Sequence, residues 1–107
     1  MVLYSKDAAA DRAFFREVLG FDNIDVGGGW LVFKMPPAEA AFHPAETGGS
    51  HELYFTCEDV VATKATLEAK GVACGPVNDE GWGILSSLTL PGGGSVGFYQ
   101  PRHETIF

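Results

Sequence analysis

DVVATKATLEAKG, residues 59–71, has the layout of one complete short helix. A carboxylate stands first, where its oxygens can accept from the unpaired N–H groups of an opening turn. About three turns of helix-compatible residues follow, and Gly71 stands where a left-handed residue ends a helix. The same layout occurs earlier in DAAADRAFFREVLG, residues 7–20, with Asp7 and Gly20 in the terminal roles. Ala10, Phe14 and Val18 line one face of that earlier helix, with Phe15 and Leu19 beside them, while Val61, Ala65 and Leu67 make a weaker stripe on the second. Trp30 lies 23 residues after Asp7, and Trp82 lies 23 residues after Asp59. Matching caps, lengths, stops and tryptophans in one chain of 107 residues point to a duplicated unit.

Outward from the helices, each unit reads strand, helix, strand, strand, strand. MVLYS (1–5) precedes the first helix, and NIDVG (23–27), WLVFKM (30–35) and EAAFH (39–43) follow it. HELYFTC (51–57) precedes the second, and VACGPV (72–77), ILSSLTL (84–90) and SVGFYQ (95–100) follow. Pro36-Pro37 in one unit and PGGG (91–94) in the other punctuate the step from third to fourth strand. The organisation expected is a single domain over 1–107, with module one at 1–46, a TGGS linker at 47–50, module two at 51–101 and a tail at 102–107, loose or in a dimer contact.

Composition narrows the function classes. The apolar fraction of 46% and charged fraction of 20% suit a water-soluble globular protein, and no apolar run reaches the roughly 20 residues of a membrane span. MVLYSKDAAA lacks the basic start and long apolar core of a secretory signal, so the expectation is a cytoplasmic protein. Cys57 and Cys74 are too few for a disulfide framework and read as reduced structural thiols. A net charge of -7 is the wrong sign for a phosphate-backbone binder, which argues against nucleic acid and suits a cationic small molecule. Gly92, Gly94 and Gly97 fit GxGxxG, but a strand follows them where a dinucleotide fingerprint needs a helix, so they read as a tight strand connection.

The element order, FFREVLGF (14–21) after an aspartate, GGGSVGFYQP (92–101) at the last strand, and the pairing of two units resemble the vicinal oxygen chelate superfamily, which holds glyoxalase I, extradiol dioxygenases, fosfomycin-resistance enzymes and bleomycin-resistance proteins. The resemblance runs from residue 1 to about 103. It implies an α+β fold in which two βαβββ modules form curled mixed sheets around a cavity with the helices outside. It also implies a small-molecule partner and a homodimer. In metal-dependent members each module supplies one ligand, His or Gln, from its first strand and a Glu from its last.

Carried onto this chain, the second module's first-strand position falls on Glu52, and the first module's falls before Met1. On the last strands, Gly97 stands in place of a carboxylate, whereas EAAFH offers Glu39, or Ala40 when the position is counted back from Pro44. With two-residue alternation, Glu39, Ala41 and His43 share a face, so a partial site of Glu39, His43 and Glu52 is the candidate for a divalent ion such as Ni, Zn, Mn or Fe. Alternation in HELYFTC puts His51 with the helix-facing set Leu53, Phe55 and Cys57, and puts Glu52 with Tyr54 and Thr56. Glu52 is thus the candidate base, or an anchor for a positively charged ligand.

Tyr4, Tyr54 and Tyr99 occupy cavity-facing positions in this register, with Trp30 and Trp82 at the rim. Together with Glu52 they form the expected ligand-binding set, suited to a planar or amphipathic molecule whose orientation phenol hydroxyls would fix. The resulting expectation is a glyoxalase/bleomycin-resistance-like protein that holds a small aromatic or cationic compound in an acidic, tyrosine-lined cavity without the full metal site. The competing expectation is a divalent-metal-dependent lyase, isomerase or dioxygenase built on Glu39, His43 and Glu52.

Overall fold

A computed structural model describes residues 1–106. Its elements in chain order are α1 (Ala8–Glu17), β1 (Asn23–Asp25), β2 (Leu31–Phe33), β3 (Tyr54–Thr56), α2 (Val60–Ala69), β4 (Asn78–Asp79), β5 (Gly83–Thr89) and β6 (Ser95–Pro101). The fold is α+β, with two helices and open sheets. The chain divides into two compact units, one made of Met1–Pro36 with Thr89–Ser95, the other of Pro37–Leu88 with the residues from Val96 onward.

Both helices start as their aspartates predict. Asp7 Oδ1 accepts from the Ala10 N–H at 3.0 Å, and Asp59 Oδ1 accepts from the Ala62 N–H at 3.0 Å. Both stops also hold, with Gly20 at φ +74° and Gly71 at φ +82°. After α2, Gly71 N–H donates to the Glu68 carbonyl and Val72 N–H to the Leu67 carbonyl, so two of the last carbonyls of the helix are satisfied. Leu67 and Val72, brought together by this turn, are both buried.

In the first unit β1 and β2 form an antiparallel hairpin, and Asp25 steadies its turn by accepting from the Gly27 N–H at 2.8 Å. Phe14 and Phe15 are buried, and the Phe15 ring meets Phe21 and Phe33 at centroid distances of 5.9 and 5.5 Å. Gly92 N–H donates to Asp11 Oδ1 at 2.8 Å, and a Cβ at Gly92 would collide with the Ser5 hydroxyl and the Asp11 carboxylate. Gly92 thus lets the Ser5 and Asp11 side chains pack close to a turn that leads into β6, not into a helix.

The second unit carries the sheet ordered β3-β6-β5-β4. β3 pairs parallel with β6, and β4 pairs antiparallel with β5. Asp79 repeats the device of Asp25, accepting from the Gly81 N–H at 2.9 Å in the turn before β5. Val60 and Leu67 from α2, with Val72, Leu88, Val96 and Phe98, are the buried apolar residues of this unit. Gln100 shares the Val96 and Phe98 side of β6, and its side-chain oxygen accepts from the Val60 N–H at 3.2 Å, which ties the start of α2 to that side.

The strands expected at 1–5 and 39–43 do not form. Among the described residues neither segment has a hydrogen-bonded neighbour strand, and Pro36, Pro37 and Pro44 strip donors from the flanks of the second. The strand expected at 51–57 shortens to Tyr54–Thr56, and that at 72–77 reduces to a single bridge, Cys74 to Leu88, with β4 beginning at Asn78. Cys57 and Cys74 are free thiols, half-buried, and burial raises the pKa of each.

Candidate functional site

The register of β3 against β6 decides what the exposed side of the second sheet presents. Tyr54 stands opposite Gly97, Phe55 opposite Phe98, and Thr56 opposite Tyr99. Alternation sends Leu53, Phe55 and Cys57 inward and leaves Glu52, Tyr54 and Thr56 exposed. On β6, Val96 and Phe98 are buried, so Gly97 and Tyr99 share the side of Tyr54. With no side chain at Gly97, the Tyr54 ring lies across its backbone; a Cβ there would collide with two atoms of that ring and press on a third.

An aromatic group grows from this arrangement. Tyr54 and Tyr99 meet edge-on at 5.9 Å and 89°, and Trp82, just before β5, meets Tyr99 at 5.8 Å and 70°. Such pairs align the positive edge of one ring with the negative face of another. Tyr54 is 40% exposed and Trp82 51%, so the group is open to solvent. The Tyr54 hydroxyl donates to the Glu52 carboxylate at 2.8 Å. That bond, with partial burial and the charge of Glu52, holds the Tyr54 pKa above its ordinary value. The Tyr99 pKa is also raised, first by burial and then by the negative charge of Glu39.

The residues after β6 return to the same group. Arg102 N–H donates to the Trp82 carbonyl at 2.9 Å, and the Arg102 guanidinium pairs with Asp79 at 2.6 Å. His103 stacks on Tyr99, with centroids 6.2 Å apart and planes at 29°, and lies 6.4 Å from Trp82. Ile106 N–H donates to Glu39 Oε2 at 2.7 Å. His103 was not among the residues the sequence pointed to. Its only trace there is an aromatic ring placed just after the last strand.

Other expected site residues lie elsewhere. Tyr4 is 97% exposed and outside any strand, and Trp30 carries the Arg12 guanidinium 4.6 Å above its ring. His43 is exposed, with Nδ1 2.7 Å from the Pro44 carbonyl oxygen, and His51 is exposed. Among the described residues no three His, Cys, Asp or Glu side chains come together to hold a metal ion, so Glu39, His43 and Glu52 do not form the expected partial site. The two carboxylates are engaged elsewhere. Glu39 is turned to the Ile106 N–H, Glu52 to the Tyr54 hydroxyl, and the space a Gly97 carboxylate would need is filled by the Tyr54 ring. Among the described residues, Glu39, His43 and Glu52 are not gathered around a common point for a divalent ion.

No protein-family model matches the sequence, and no curated protein matches it. Solved structures do match. TnmS3, an antibiotic binding protein from Streptomyces sp. CB03234, is similar at 25% identity and a TM-score of 0.65, over 94% of this chain and 98% of its own. A glyoxalase/bleomycin resistance protein from the same organism is similar at 27% identity and a TM-score of 0.62, over 92% and 95%. Lactoylglutathione lyase from Agrobacterium tumefaciens is similar at 20% identity and a TM-score of 0.66, over 92% and 89%.

Proposed function

For a chain with the glyoxalase/bleomycin-resistance fold of the vicinal oxygen chelate superfamily, we propose a binding protein that holds a small aromatic or cationic organic molecule against Tyr54, Trp82 and Tyr99. Glu52 supplies negative charge beside these rings, and no metal is required. The observation that carries this reading is the Tyr54 ring lying over Gly97, which puts an aromatic surface where a metal-dependent relative would need a carboxylate. The acidic composition adds a general attraction for cations. Similarity to an antibiotic binding protein over nearly the whole of both chains supports a compound of that kind. A homodimer is proposed with it.

The experiment is a thermal-shift screen of planar aromatic compounds and organic cations, with nickel, zinc, manganese and iron salts as the competing arm. A ligand at about 100 times its Kd stabilises the folded state by about 2.7 kcal/mol, which for this chain length is a rise in Tm of about 12 °C. The expected result is a shift with an organic compound that Tyr99→Ala removes. A stoichiometric metal lost on Glu39→Ala or Glu52→Ala would overturn the reading.

A further inference from the structure

The rings around Tyr99 are of two kinds. Tyr54 and Trp82, each fixed by a strand or its immediate flank, stand at 89° and 70° to it. His103 alone among these three is close to parallel, at 29°. The polar bond of its imidazole is local, Nδ1 lying 2.8 Å from the Glu104 carbonyl oxygen, and the residue is exposed. Arg102 is anchored through Trp82 and Asp79, whereas beyond it, among the described residues, the chain returns to the unit through an exposed hydrogen bond, Ile106 N–H to Glu39. We infer that the place over Tyr99 held by the His103 imidazole is the seat of a planar heteroaromatic cation, which enters by displacing the tail from His103 to Ile106.

The inference rests on the binding-protein reading and names its ligand class. A flat ring suits the place because the ring that now holds it, His103, lies close to parallel with Tyr99, whereas Tyr54 and Trp82 meet Tyr99 edge-on. Positive charge is favoured because the negative faces of electron-rich rings attract it. It is favoured again because Glu52 and Glu39 both act on these phenols. The nearby cation Arg102 is already paired with Asp79. Lifting the tail also frees Glu39 from the Ile106 N–H, so its carboxylate becomes available to the arriving charge.

Three fluorescent planar probes separate the possibilities: proflavine (cationic), riboflavin (neutral) and fluorescein (anionic), each titrated against the full chain. Proflavine is expected to bind tightest, and His103→Ala to tighten it about two- to tenfold, the range of one aromatic stacking contact no longer in competition. His103→Phe, which restores a ring, should bind no tighter than the wild type, and Tyr99→Leu should bind far more weakly. Tm and near-ultraviolet circular dichroism of each variant establish that it is folded. Proflavine binding that His103→Ala leaves unchanged or weakens overturns the displacement. Riboflavin or fluorescein binding as tightly as proflavine overturns the charge assignment. In both cases the binding-protein reading stands. Binding of none of the three, by wild type or His103→Ala, overturns the inference outright, and the compound screen then decides the binding-protein reading separately.

Discussion

Gly97→Ala is the sharpest test of the arrangement on β6. The backbone at Gly97 lies outside the positive-φ region, so alanine can adopt it, and alanine in place of a strand glycine ordinarily stabilises by roughly 0.5–1 kcal/mol. Here the new Cβ would overlap the Tyr54 ring. The ring must swing away, losing its edge-on contact with Tyr99, about 0.5–1.5 kcal/mol, and its exposed hydrogen bond to Glu52, about 0.5–1.5 kcal/mol. Subtracting the glycine term leaves a net destabilisation of roughly 0–2.5 kcal/mol, a fall in Tm of up to about 11 °C at this chain length. Urea unfolding followed by tryptophan fluorescence measures it. The same substitution in a Tyr54→Ala background has no ring to displace and should stabilise, by about 0.5–1 kcal/mol, so the cycle yields a coupling of at least about 1 kcal/mol. Equal effects of Gly97→Ala in both backgrounds would refute the packing of Tyr54 over Gly97.

Three further outcomes are expected. Asp59→Ala should lower stability by about 1 kcal/mol through loss of the cap at the start of α2, while Asp59→Asn should retain most of it, both read by urea unfolding. In ultraviolet-difference titration Tyr54 should ionise above its ordinary pKa of 10.0, and Glu52→Gln should bring it down; because the folded-state value is the raised one, its contribution to stability is full below pH 10.0 and is lost as pH climbs toward that raised value. Asp79 should titrate below its ordinary 3.8, held there first by the Gly81 N–H and then by Arg102, and Arg102→Ala should move it back up in carboxyl-detected NMR; its contribution is present above pH 3.8 and is lost as pH falls through the lowered value.

What could be read in advance was local. A helix cap and a helix stop are decided within a few residues, so Asp7, Gly20, Asp59 and Gly71 do what their spacing implied. The inward and outward faces of HELYFTC follow from strand geometry alone, and burial alternates along it accordingly. Pairing was harder, because a strand requires a neighbour that its own residues do not specify; MVLYS and EAAFH have strand-like patterns and no partner among the described residues. The site divides along the same line. Gly97 could be recognised as a missing carboxylate, but the ring that occupies the vacated space comes from residue 54, and only the β3–β6 register brings it there. RHETIF has no periodicity, and its roles are set by partners at Asp79, Tyr99 and Glu39; its last residue, Phe107, lies outside the described residues.

The position of β6 bears on how the chain reaches its fold. β6, the last strand among the described residues, is an inner one, flanked by β3 and β5. β3 therefore waits on a ribosome-tethered chain for a partner more than 40 residues downstream, while α2 and the β4–β5 pair can form in the interval. Such non-local parallel pairing costs loop-closure entropy before any contact compensates, which slows folding. A chain released short of residue 95 would leave the edges of β3 and β5 open at once, and open edges are what other chains pair with. β6 thus acts as a keystone, and termination before it would yield aggregation rather than a smaller folded protein.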